Sequence, residues 1–142
     1  MASNPYSTFH ASLEKTNLIL KDIEQAYGWP KEHRDRSYAG LRAVLHMLRD
    51  RLPVDESAQF AAQLPVLVRG VYYEGWDPSG VPIKLTRDEF LYEVRQRFPY
   101  DVAGGVESVV RTVLNALRRH VTEGEWEDVR ASVPKDLSTI IP

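Results

Sequence analysis

Four arginines at matched spacing dominate the chemistry this chain could perform. Arg42 and Arg49 stand seven residues apart, and so do Arg111 and Arg118. Seven residues is about two helical turns, so each pair would share one side of a helix. Guanidinium groups placed that way suit bidentate capture of phosphate or carboxylate. The same spacing serves a structural purpose equally well, because Glu56 and Glu125 follow the two arginine pairs at one common offset. Each half would then close its own bridge, Arg49 or Arg42 to Glu56 and Arg118 or Arg111 to Glu125. That structural use is preferred to an anion clamp, since satisfied, partly buried ion pairs fix how helices meet even when their net stabilisation is small.

A second cluster is Tyr72-Tyr73-Glu74-Gly75-Trp76. Aromatic side chains with a polar handle are common interface anchors. Adjacent helical positions differ by about 100°, so Tyr72 and Tyr73 cannot both face one core. Tyr72, Tyr73, Glu74 and Trp76 therefore form a candidate interaction patch. The competing use of the same residues is to seal the junction between two halves of a core.

Other constellations are weak. His10, His33, His46 and His120 are scattered and form no His-x-x-x-His or Glu-x-x-His pair, the spacings that put two ligands on one metal. His46 falls on the polar flank of its helix and is read as solvated. Gly104-Gly105 could bare backbone amides to an anion, but no Lys or Ser/Thr follows at phosphate-loop spacing. No Gly-x-Ser-x-Gly elbow is present. No catalytic residue, metal ligand or cofactor is expected on these grounds.

The elements that must position these groups are helical. Phe9, Leu13, Thr16, Leu20, Ile23 and Tyr27 recur at spacings of four and three, one face of a long first helix that Gly28-Trp29-Pro30 closes. Leu41, Val44, Leu45, Leu48 and Leu52 stripe a second helix, which Pro53 ends. A shorter helix carries Ala58, Phe60, Ala61 and Leu64, and Pro65 is placed in the first turn of a fourth. Asp77-Pro78-Ser79-Gly80 fits a type I turn, with Val81-Pro82-Ile83 extended after it. Thr86 with Glu89 and Thr122 with Glu125 read as capping boxes, launching helices at 87 and 123. Val106, Val109, Val110, Val113, Leu114 and Leu117 mark a long helix between them, and Pro134 opens a last short one.

Residues 29–72 lie without a gap on residues 98–141, a shift of 69. Pro30 falls on Pro99, Leu48-Arg49 on Leu117-Arg118, Glu56 on Glu125 and Pro65 on Pro134. The expected architecture is one all-α domain over 1–142, a bundle of about eight helices in two sequence-related four-helix units. The units run from about 6 to 76 and from 85 to 142, joined by a turn and extended linker over 77–84.

Composition sets the outer bounds. The chain has 142 residues, 43% hydrophobic and 27% charged, enough for one sizeable core. There is no cysteine, which suits a reducing compartment. The start carries no signal-peptide pattern and no apolar run suits a membrane span, so a cytoplasmic, unanchored protein is expected. Lys and Arg number 18 against 20 Asp and Glu, a balance that argues against nonspecific nucleic-acid binding.

The segment Leu41-Arg42-Ala43-Val44-Leu45-His46, with Leu48-Arg49-Asp50-Arg51-Leu52-Pro53, Ala61-Ala62-Gln63-Leu64-Pro65, Arg69-Gly70 and Tyr72-Tyr73-Glu74-Gly75-Trp76, resembles the bacterial domain-of-unknown-function 2267 family. The resemblance implies a small, all-helical bacterial protein whose biochemical role is unassigned, and it supplies no catalytic residues. The expected function is a non-catalytic helical module that binds a protein partner or a second copy of itself. A nucleic-acid binder using Arg111, Arg118, Arg119 and Arg130 stands second, weakened by the acidic residues after position 122. An enzyme whose pocket the sequence does not reveal stands third.

Overall fold

A computed structural model describes residues 4–142. Among these residues eight α-helices follow one another: α1 Pro5–Tyr27, α2 Arg34–Arg49, α3 Val54–Ala62, α4 Val66–Tyr73, α5 Arg87–Arg97, α6 Gly105–Arg118, α7 Glu123–Ser132 and α8 Lys135–Ser138. Single 3-10 turns at Lys31–His33 and Pro78–Gly80 complete the regular structure, and no strand occurs among the described residues. No described helix is long and apolar enough to cross a membrane.

Local signals explain where the helices stop and start. Asn4 caps α1 by accepting the Tyr6 N–H at 2.9 Å, and Gly28 ends it in the left-handed conformation at φ 66°, which costs glycine little. Thr86 and Glu89 form the full reciprocal box at the start of α5. Thr122 caps α7 through the Glu125 N–H, but the return bond is missing: Gln63 Oε1 accepts the Thr122 N–H at 2.8 Å instead. Pro65 and Pro134 sit one position earlier than expected, as extended N-cap residues preceding α4 and α8. Pro53 does the same for α3. An extended proline ahead of a helix loses no ladder bond and presets the turn into it.

The boundaries preserve the shift found in the sequence. Arg49 and Arg118 end α2 and α6, Val54 and Glu123 open α3 and α7, and Val66 and Lys135 open α4 and α8, each pair 69 positions apart. The halves interleave: α1 packs on α2, α4 and α6, α2 packs on α4, α5 and α6, and α3 packs on α7. One continuous core results, with Val44, Leu45, Phe60, Val94, Val113, Leu117 and Trp126 at its centre. The segment after Trp76 is docked as well, its Ile83 N–H bonding to Asp50 O at 2.7 Å. Ile140 and Ile141 are buried, and Trp126 Nε1 donates to Pro142 O at 2.6 Å.

One expected core stripe is only half used. Ile19, Leu20 and Ile23 are buried, whereas Leu13 is 45% exposed, Phe9 63% and Tyr6 81%. Periodicity identifies the apolar face of a helix, and the neighbours decide how far along that face is covered. The cover of α1 ends at Ser12, whose Oγ accepts the Leu67 N–H at the start of α4.

Candidate functional site

The four arginines are all engaged inside the molecule, with partners other than those expected. Arg42 reaches Glu74 from α2 with Nε and Nη2, at 2.8 and 2.5 Å. Arg49 is buried and turns its Nη1 onto two main-chain oxygens at the C-terminal end of α4, Tyr72 O at 3.0 Å and Glu74 O at 2.8 Å, while Nε meets Asp50 at 2.9 Å. Arg111 bonds Glu107 at 3.1 Å and Thr139 O at 3.3 Å. Arg118 pairs with Glu123 at 2.8 Å and lies over the Trp126 ring, 5.8 Å from its centroid. Among the described residues neither Glu56 nor Glu125 makes an ion pair, so the bridges read from sequence are corrected. Two of the arginines, Arg49 and Arg111, close the ends of α4 and α8, where unpaired carbonyls need donors.

The aromatic cluster divides between core and rim. Tyr72 is buried, its hydroxyl 2.9 Å from Ser57 Oγ and its ring 5.6 Å from Phe60. Burial pushes its phenol well above the ordinary range. Tyr72 is therefore no part of an exposed patch. Tyr73 stacks on it edge-on at 5.4 Å and touches Trp76 at 5.2 Å, both rings half-covered, while Glu74 is exposed and held by Arg42. His46 also departs from its expected place. It is buried, with Nε2 2.6 Å from Val71 O, and burial lowers its pKa below the usual imidazole value. That contact makes Nε2 the donor and leaves Nδ1 unprotonated in the neutral ring.

The least anticipated arrangement is a pair of carboxyls between α3 and α7. Glu56 and Glu125 occupy matched positions in the two halves, and their packing brings them face to face. One oxygen from each, with one from exposed Asp128, lies within 4.8 Å of the others. Glu125 is only 7% exposed, and its Oε2, like that of Glu56, has no hydrogen-bond donor. Burial, and then the facing Glu56 carboxyl, push Glu125 up to about 8. Two carboxylates so close cannot both ionise cheaply, so the pair holds a proton near neutrality. Three oxygens at this spacing are also the hard donor set a divalent cation accepts. Sequence offered one hint, the repeat of Glu56 at Glu125, but it pointed to arginine partners.

Glu24 shows what the same burial does when a cation is present. It is 4% exposed, and burial alone would raise its pKa. Arg34 donates twice, at 3.0 and 3.1 Å, and Ser37 once, at 2.5 Å, and together they hold the carboxyl below its ordinary value.

Two surface hollows flank the N-terminal half of α1. A groove of about 650 Å³ runs between Tyr6, Phe9 and Leu13 on α1 and Val66 and Leu67 on α4. Adjoining it at Ser7, Ser12 and Val66, a cleft of about 930 Å³ opens between α1, the α3–α4 turn and the α6–α7 turn, lined by Lys15, Arg69, Arg119 and His120 among others.

No curated protein matched this chain. The family model described as an uncharacterized conserved protein, DUF2267, matches residues 16–140, and with the all-helical fold over the same span, the chain belongs to that family.

Proposed function

We propose that this protein is a non-catalytic helical module that associates with a second copy of itself through the N-terminal half of α1. The carrying observation is the apolar stripe of α1, which runs from the core out to Leu13, Phe9 and Tyr6 and is left exposed among the described residues. Val66 and Leu67 of α4 are exposed beside it at 51% and 47%. These five side chains present on the order of 500 Å² of mostly apolar surface, near the upper end of what a monomer exposes. Two such faces brought together approach the roughly 1,000 Å² at which specific interfaces begin.

Tyr6, Phe9 and Leu13 stand at spacings of three and four, the seam that lets two helices interlock side chains. Two turns of helix with exposed surroundings gain little stability in water by themselves, and a partner helix supplies the missing packing. A self-complementary face is the usual form of a two-fold dimer. Arg111, Arg118, Arg119 and Arg130 each lie beside a carboxylate, so together they present no extended positive stripe for a nucleic-acid backbone to follow.

Sedimentation equilibrium tests this reading, with Phe9→Asp and Leu13→Asp as variants. Both positions are exposed, so the fold tolerates the charge. Wild type should show a concentration-dependent dimer that either substitution abolishes while helicity is kept. A wild type that remains monomeric, or a Phe9→Asp variant that dimerises as well as wild type, refutes it.

A further inference from the structure

We infer that the cleft between α1 and the α3–α4 and α6–α7 turns binds a small, multiply charged anion, a phosphorylated or polycarboxylate compound with a non-aromatic body. Lys15, Arg69 and Arg119 line this cleft of about 930 Å³, and no Asp or Glu is among the residues that form its wall. The whole chain carries a formal charge of −2, so three cations on one wall, of which Arg119 alone is ion-paired and to an Asp22 outside that wall, are a local segregation of charge. Low-dielectric walls around such a set concentrate the field and raise the local concentration of anions.

The state of each cation matters. The Lys15 ammonium makes no ion pair among the described residues. Arg69 spends its donors on three carbonyls, Ala61 O at 2.9 Å, Ala62 O at 3.1 Å and Leu64 O at 3.1 Å, which anchor the guanidinium without neutralising it. Arg119 pairs with Asp22 at 3.1 Å, yet its own side chain is 72% exposed, and such pairs contribute little enough to be exchanged for a better anion. Hydroxyls from Thr8 and Ser7 supply further donors in the wall. Among the described residues no Phe, Tyr or Trp lines the cleft and its one aromatic ring, the His120 imidazole, is half-buried, so a nucleobase would find little stacking surface, whereas a compact polyanion needs none. The size suits a small metabolite.

The test titrates inorganic pyrophosphate and, separately, citrate into the full chain, at ionic strength matched with sodium chloride. Heat release and amide shifts are recorded for wild type and for a Lys15→Gln/Arg119→Gln double variant. Both side chains are exposed, so the variant should fold as wild type does. The expected result is saturable binding of at least one probe, shifts confined to amides around Ser12, Gln63 and Arg119 to Thr122, and affinity about tenfold weaker in the variant. Pyrophosphate binding alone selects the phosphorylated class and citrate binding alone the polycarboxylate class. Absence of saturation by both, shifts spread over the surface, or equal binding by the variant overturns the inference. Phe9→Ser, which removes a ring of the proposed dimer seam without adding charge beside the cleft, should leave this binding unchanged, so the two proposals fail separately.

Discussion

Replacing Glu125 by Gln should make the protein more stable, and more so as the pH rises. Gln keeps the shape of the side chain, removes its charge, and offers an N–H to the oxygens of Glu56. In the folded chain Glu125 holds its proton up to about 8, against 4.5 for a free carboxyl. A raised carboxyl pKa means the native state binds the proton more tightly than the unfolded state. Stability contributed by that proton is complete below 4.5 and is lost as the pH climbs towards 8. Each unit of displacement corresponds to about 1.4 kcal/mol, so the upper bound at pH 9 is roughly 5 kcal/mol, and relaxation of the two helix starts lowers it to ~2–4 kcal/mol. The assay is urea unfolding of wild type and Glu125→Gln at pH 5, 7 and 9, read as the difference between the curves, which cancels the histidines. The difference should stay within about 1 kcal/mol at pH 5 and grow to ~2–4 kcal/mol in favour of the variant at pH 9. Glu56→Gln should give a smaller gain, because the burial of Glu125 that is the larger cause of its raised pKa remains, and the double variant should gain less than the sum, because both changes relieve one shared repulsion. Curves that stay parallel, or a variant destabilised at every pH, would refute the pairing.

Two further outcomes follow from buried charge and buried imidazole. Arg49→Met should cost about 3 kcal/mol in chemical unfolding, because the oxygens of Tyr72 and Glu74 lose a charged donor in a place water does not reach; a loss under 1 kcal/mol would mean the helix end is solvated. The His46 ring should titrate below the 6.5 of a free imidazole when followed by NMR, and because the unfolded ring takes the proton first, stability should fall as the pH drops below 6.5; a midpoint above 6.5 would contradict the burial of that ring.

Helix starts were readable because their causes are local. Thr86 with Glu89, Thr122 before Glu125, and Gly28 after Tyr27 act within a few residues of themselves. The turn over Asp77 to Gly80 is local too, with Asp77 Oδ1 accepting from Ser79. The family also rested on contiguous motifs. What escaped depends on which helices cross. Periodicity marked Phe9 and Leu13 as apolar-face residues, and only the position of α4 decides that the cover stops at Ser12. Glu56 and Glu125 face one another because α3 packs on α7, a contact between residues far apart in sequence. His46 is buried because Val71 O arrives from α4 to meet it. Pairwise chemistry between distant segments leaves no trace in spacing along one chain, so charge partners were the weakest part of the reading.

The docking of α1 has a consequence for synthesis. Its apolar face is completed by α2 and α4 and, last, by α6, with Tyr27 bonding Ser108 some 81 residues downstream. A ribosome making about 5–20 residues per second therefore leaves that face partly bare for several seconds while the rest of the chain emerges. During that interval the nascent first helix offers chaperones, or the same helix on a neighbouring chain, a longer greasy strip than the finished protein ever shows. Pairing on adjacent ribosomes would then be set by translation order as much as by the affinity of the completed molecules.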